Sequence, residues 1–205
     1  MLKARIAVFV SGGGTNLQAL INAQREGIIT SGEIVLVLAS NDEAYALTRA
    51  KNAGIKTAVC SRKLLKESFE AEINRVLDEE KIDFIVLAGF MSILSAEFTK
   101  KWDKRIINVH PSLIPSFCGA GFYGLKVHEA ALAYGVKVSG ATVHFVNEIP
   151  DGGKIIMQKA VEVQEGDTPE ILQKRIMEEA EWKILPLSCE KVCKELIESE
   201  DIKNG

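Results

Sequence analysis

Residues 6–16 read Ile6-Ala7-Val8-Phe9-Val10-Ser11-Gly12-Gly13-Gly14-Thr15-Asn16, five apolar residues running straight into a glycine-rich turn. A short, unbroken apolar run marks a strand covered on both faces, as in a parallel sheet flanked by helices. Leu17, Leu20 and Ile21 follow on one helical stripe. Thr15 or Asn16 stands where that helix needs a cap, and Gly27 is placed to end it. Backbone N–H groups in such a turn, backed by the positive end of a helix, suit an anion.

The same alternation repeats along the chain. Residues 33–39 predict a second strand, and a helix from about residue 43 closes at Gly54. Residues 56–60 predict a short third strand. A longer helix over 64–80 turns Phe69, Ile73, Val76 and Leu77 inward. Residues 83–88 and 105–109 predict two more buried strands. Strands alternating with helices give an α/β fold, a doubly wound, mostly parallel, Rossmann-like sheet. After a Pro- and Gly-rich loop at 111–124, a helix over 125–134 stops at Gly135. The period then changes to strict alternation over 139–147, and 155–163 forms a second strand after the turn Pro150-Asp151-Gly152-Gly153. That is a long antiparallel hairpin added to the sheet. Thr168 and Pro169 open a final helix that buries Leu172, Ile176 and Ala180. Pro186 is expected to kink or interrupt it, and residues 198–205 to fray.

The bulk properties narrow the function. A length of 205 residues predicts a single domain, 1–205, and the composition of 47% apolar and 26% charged residues is ordinary for a globular chain. A net charge of −3 gives no reason to expect nucleic acid or an acidic membrane as a partner. No apolar run approaches the roughly 18 residues needed to span a bilayer. The N-terminus carries no cleavable signal pattern, so the cytoplasm is the default expectation. Cys60, Cys118, Cys189 and Cys193 include no Cys-x-x-Cys pair, and three spaced histidines offer no metal motif. The expected metal content is none; Cys118, in the loop, reads as an incidental thiol.

Chemistry concentrates in Ile106-Ile107-Asn108-Val109-His110-Pro111-Ser112-Leu113. Asn108 and His110 lie two residues apart, on one face of a strand whose end opens into the ligand crevice of such sheets. A carboxamide beside an imidazole suits acyl chemistry, one polarising a carbonyl oxygen while the other moves a proton. A strand end with a turn-capping Asn and a core His reads the same way. Asp151 sits in standard turn chemistry, and it joins the pair only if the hairpin lies beside the fifth strand. The glycine turn is neither a Walker A loop nor a full dinucleotide fingerprint, because Leu17 occupies the third glycine position. Asp42 after the second strand keeps a nicotinamide enzyme in view, while a monophosphate on a small substrate fits the turn better. His128 and His144 read as structural or exposed, with His144 also able to face the pocket but not expected to act as an acid.

The glycine turn, Leu87-Ala88-Gly89-Phe90-Met91-Ser92-Ile93-Leu94-Ser95, the Asn108–Leu113 segment and Asp151-Gly152-Gly153, in this order, closely resemble the phosphoribosylglycinamide formyltransferase family. The resemblance covers essentially the whole chain and implies transfer of a formyl group from 10-formyltetrahydrofolate, as co-substrate, to the amine of glycinamide ribonucleotide in purine synthesis. The length fits these enzymes better than methionyl-tRNA formyltransferase or formyltetrahydrofolate hydrolase, which carry extra domains. It implies a phosphate-binding half over about 1–100 and a folate-binding, catalytic half over about 101–197. Asn108, His110 and Asp151 match the family's catalytic residues; Gly14, Thr15, Asn16 and Glu181 match its substrate contacts. Lys66, Met91, Ser92, Ile93, Leu94, Asn108, Val146 and Asn147 fall at folate-binding positions. Taken alone, Lys66 would be a solvated charge, Glu181 an exposed helix carboxylate, and Met91, Ile93 and Leu94 plain core. Three positions depart from the pattern: Ser92 where many members have Arg, Trp182 for a common His, and Lys154 for a usual Pro. The rival readings are a 10-formyltetrahydrofolate hydrolase using the same three groups, a nicotinamide oxidoreductase, and a non-catalytic nucleotide-binding module. The expected assembly is a monomer or homodimer.

Overall fold

Ile6, Ala7, Val8, Phe9 and Val10 expose none of their surface, because the strand they form lies at the centre of the sheet. The computed structural model describes residues 3–204. Seven strands, β1 (Ala4–Val10), β2 (Gly32–Ala39), β3 (Lys56–Val59), β4 (Phe84–Leu87), β5 (Ile106–His110), β6 (Val138–Phe145) and β7 (Ile155–Glu162), form one sheet. Their order is β3-β2-β1-β4-β5-β6-β7. The first five run parallel, and β6 and β7 add antiparallel at one edge. The α/β doubly wound reading therefore holds, with the expected hairpin pairing through β6 onto β5. The winding direction reverses between β1 and β4, so the crevice of the sheet opens where their C-terminal loops part.

Alternation along each central strand divides the core in two. Ile6, Val8 and Val10 point to the face covered by α1 (Thr15–Arg25), α2 (Ala46–Asn52), α7 (Pro169–Ile176) and α8 (Trp182–Asn204). Ala7 and Phe9 point to the face covered by α4 (Phe69–Glu79) and α5 (Ala96–Lys101). Between these lie α3 (Arg62–Leu65) and, after the long loop, α6 (Leu125–Tyr134), which ends at Gly135 in the left-handed region. Cys189 and Cys193, four residues apart, are both buried on the inner face of α8.

Several local expectations change. Gly14, at φ 72, precedes α1 with no side-chain cap, and Asn16 gives its amide to Glu181 instead. The single helix expected over 64–80 breaks at Lys66, whose φ is 49, with a 3-10 turn over Lys66–Ser68 before α4 begins. The break lets Phe69 bury fully while Leu64 stays 80% exposed. Helix α2 starts at Ala46, not near 43. Helix α5, too short to show a period, is unexpected; Ser95 caps it, its Oγ accepting the Phe98 N–H at 3.1 Å. Pro186 does not interrupt α8. A proline in a helix leaves the carbonyl four residues earlier without its donor. A wide π turn over Met177–Glu181 precedes α8, and the helix continues past Pro186 through Asn204. The segment expected to fray from 198 is helical to that point, and Gly205 lies outside the described residues.

Candidate active site

Antiparallel pairing of β5 with β6 places Asn108 opposite His144 and His110 opposite Thr142, so all four lie on one face of the sheet. The turn after β6 then folds back over that face. Asp151 adopts φ 56, a left-handed conformation that Asp tolerates better than most side chains. A Cβ on Gly153 would fall 1.7 Å from the Phe145 carbonyl oxygen, so only glycine lets the turn lie this close to β6. Lys154 leaves the turn intact: its carbonyl accepts the Phe145 N–H at 2.9 Å while its side chain stays in solvent.

The result is a carboxylate held at the junction of three side chains. Asp151 Oδ2 lies 3.5 Å from His110 Nδ1 and accepts the Gly119 N–H at 2.8 Å. Its Oδ1 lies 3.5 Å from His144 Nε2 and 3.5 Å from Asn108 Nδ2. Burial is the largest influence on the Asp151 carboxyl and pushes its pKa up. His144, His110 and the Gly119 amide together outweigh it and hold the pKa below the ordinary carboxylate value. His110 is buried, and its Nε2 lies 2.8 Å from the Phe117 carbonyl oxygen, so both ring nitrogens face oxygen acceptors. His144 Nδ1 donates to the Phe145 carbonyl at 2.7 Å, and its Nε2 lies 3.3 Å from Asn108 Nδ2 as well as 3.5 Å from Asp151 Oδ1. His144, read from sequence as structural or exposed and able to face the pocket, is buried within this cluster, placed there by its register opposite Asn108. His128 is fully buried on α6 with no partner for either ring nitrogen. Burial, then the neighbouring His110, lowers its pKa to about 4.

A second group gathers at the glycine turn. A Cβ on Gly14 would lie 2.6 Å from Ala46 Cβ, so the turn packs directly against α2. Gly12 and Gly13 are exposed with open space around them, and the first N–H groups of α1 face out beside them. Arg49 adds positive charge that the sequence reading missed: its Nε donates to the Gly13 carbonyl at 2.8 Å, and its guanidinium lies over the Tyr45 ring. Helical backbone N–H groups beside a guanidinium make an anion site. Asn16 Nδ2 donates to Glu181 Oε2 at 2.7 Å. Glu181 sits on the π turn with 6% of its surface exposed, and burial pushes its carboxyl up to about 7 against the lowering effect of Asn16. Thr15 Oγ1 turns toward Met177 in the same turn.

The loop after β4 connects the two groups. Met91 N donates to Ser11 Oγ at 2.9 Å, tying this loop to the end of β1 at the point where the winding reverses. Met91 and Ile93 are 57% and 74% exposed, whereas Leu94 is buried and Ser92 half-buried. Read alone as core, Met91 and Ile93 are instead an apolar ridge in solvent; Leu94 alone is core. Arg62, four residues before Lys66, donates to the Ile93 carbonyl, so α3, which leads into the Lys66 turn, abuts this loop. Val146 and Asn147 start the Asp151 loop, Val146 N bonding Ile106 O at 3.0 Å and Asn147 Oδ1 accepting from Ile149 N. They also line a cleft of about 420 Å³ with Asp103, Lys104 and Leu196. A cleft of about 480 Å³ runs between α1 and α8, past Thr15, Arg49 and Trp182. Neither is lined by the Asp151 cluster, so it is the assembled chemistry rather than enclosed volume that marks the site. Cys118 is not an activated thiol, because burial and then the Asp151 charge raise its pKa.

The chain belongs to the formyl transferase family, whose profile matches residues 4–188. Its relatives narrow this further. Over 192 residues it is 46% identical to the trifunctional purine biosynthetic protein adenosine-3 of Homo sapiens, a match covering 93% of this chain but 18% of that protein's length. It is 40% identical to the phosphoribosylglycinamide formyltransferase of Haemophilus influenzae, over 89% of this chain and 84% of that one. The crystal structure of phosphoribosylglycinamide formyltransferase from Anaplasma phagocytophilum superposes with a TM-score of 0.84 at 40% identity, covering 94% and 88% of the two chains. Among the described residues, no helix is long and apolar enough to cross a membrane, and no three His, Cys, Asp or Glu residues cluster as a metal site.

Proposed function

We propose that this chain transfers the formyl group of 10-formyltetrahydrofolate to the primary amine of glycinamide ribonucleotide. The observation that carries the reading is the convergence of Asn108, His110 and Asp151 from two distant segments onto one face of the sheet. The folate supplies an activated formyl carbon on N10. When the amine attacks that carbon, negative charge gathers on the formyl oxygen. Asn108 Nδ2 donates a hydrogen bond to it, and a protonated His110, held by Asp151 and the Phe117 carbonyl, stabilises it by its positive charge. The C–N10 bond breaks as His110 gives a proton to the departing nitrogen and takes up the one the attacking amine loses, so the protonated ring is restored; Asp151 keeps it oriented.

The surroundings fit the two substrates. The free N–H groups at the start of α1, with Arg49, take the phosphate. Asn16 and Glu181 take the ribose hydroxyls. The exposed side chains of Met91 and Ile93, with Ile149 across the cluster, offer a flat heteroaromatic ring an apolar bed. Ser92, Leu94, Val146 and Asn147 supply backbone and rim contacts, and Lys66 faces the acidic tail of the folate. The phosphate contacts thus come from the N-terminal half, whereas the ribose and folate contacts are drawn from both halves.

The test is a spectroscopic transfer assay with purified chain, 10-formyltetrahydrofolate and glycinamide ribonucleotide. Formylated amine and tetrahydrofolate should appear in equal amounts. Formate release that is indifferent to the amine would instead make the chain a hydrolase, and ligand binding without turnover would leave a binding module.

A further inference from the structure

The loop that follows His110 has no regular structure, yet it supplies two of the contacts that orient the cluster. Phe117 O meets His110 Nε2 at 2.8 Å, and Gly119 N meets Asp151 Oδ2 at 2.8 Å. What holds that loop is a pair of side chains directly opposite one another on β6 and β7, Thr142 and Gln158. Thr142 is fully buried; its Oγ1 donates to Ser112 O at 2.7 Å and accepts Ile114 N–H at 3.1 Å. Gln158 Nε2 donates to Thr142 Oγ1 at 2.9 Å and to Ile114 O at 3.0 Å. Ser112, also buried, closes the segment by donating to Ser116 O at 2.6 Å. The backbone from 112 to 116 is thus pinned by two side chains that hydrogen-bond neither His110 nor Asp151, although Thr142 faces His110 across the β5–β6 ladder.

We propose that Gln158, acting with Thr142, is a positioning residue for the reaction: it sets the path of the 112–119 loop and, through Phe117 and Gly119, the alignment of His110 and Asp151. The inference rests on the catalytic reading of that cluster. Gln158 suits the test because its side chain is exposed, so replacing it removes bonds without opening a core cavity. Misplacing reacting groups by about 1 Å can cost up to a hundredfold in rate, whereas a peripheral surface bond costs almost nothing.

The experiment compares Gln158→Met, which keeps the length and loses the donors, with Thr142→Val and Thr142→Ser, and with His110→Ala as reference. Gln158→Met and Thr142→Val should lower kcat by roughly ten- to hundredfold with little change in KM. Thr142→Ser, which keeps the hydroxyl, should restore it. Amide exchange at Gly119 should quicken in Gln158→Met while the amides of β1 and β4 stay protected. Wild-type kcat and an unchanged Gly119 exchange rate in Gln158→Met would overturn the positioning role alone. Full turnover in His110→Ala would overturn the catalytic reading beneath it.

Discussion

Replacing Glu181 with Gln sets function against stability. The carboxyl has 6% of its surface exposed, keeps one hydrogen bond to Asn16, and titrates at about 7 in the fold against 4.5 as its ordinary value. A carboxyl whose pKa is raised on folding contributes its stability below the unfolded value, and that contribution disappears as pH rises through the folded value. At pH 8 the ionised, buried group therefore costs about 3 kcal/mol, falling to a few tenths of a kcal/mol at pH 4.5. Glu181→Gln keeps the shape and can still accept from Asn16, but has nothing to ionise. Urea unfolding should find it more stable than the parent by about 3 kcal/mol at pH 8, which for a chain of this size is a rise of roughly 6–12 °C in Tm. The advantage should shrink to nearly nothing at pH 4.5. The same variant should bind the ribonucleotide more weakly, because the acceptor pair offered to ribose hydroxyls is lost, with KM rising more than kcat falls. A stability gain that is flat from pH 4.5 to 8 would show that Glu181 does not carry this buried charge, and the reasoning would fail.

Other perturbations follow from the same geometry. Asn108→Ala and His110→Ala should each lower turnover by roughly a hundred- to thousandfold while far-UV spectra stay native, as loss of an oxyanion donor does; near-normal rates in either would remove the proposed roles. His128 is held neutral, at about 4 against an ordinary 6.5, so its stability contribution is complete above pH 6.5 and is lost as pH falls toward 4. The wild type should therefore lose roughly 2–3 kcal/mol more than His128→Leu between pH 7.5 and 4.5, and parallel denaturation curves would rule this out. Gly153→Ala forces a methyl onto the Phe145 carbonyl. It should displace Asp151, costing roughly 1–3 kcal/mol of stability and most of the activity, measured by thermal melting beside the transfer assay.

The parallel half of the molecule was legible because burial on both faces leaves a mark no other element leaves. Ile6–Val10 and Phe84–Leu87 are unbroken apolar runs, and each became a strand with almost no exposed surface. The hairpin was legible for the opposite reason, its period of two. Errors fell where a short segment answers to its neighbours. Lys66 breaks a helix its own periodicity supports, α5 is too brief to show a period, and Pro186 leaves its helix running while a wide turn forms before it. Glu181 by itself looks like any exposed helix acid, and only the packing of the π turn against α1 buries it beside Asn16.

Sequence alone decided the class of sheet, the glycine turn and the pairing of Asn108 with His110, since these depend on periodicity and on residues close in the chain. Tertiary structure alone decided that Asp151, 41 residues beyond His110, meets it, that His144 joins them, and that Arg49 backs the anion turn. Contacts between distant segments depend on strand order and register, which no local pattern encodes. The charge states of Asp151, Glu181 and His128 depend on how much water those contacts leave behind.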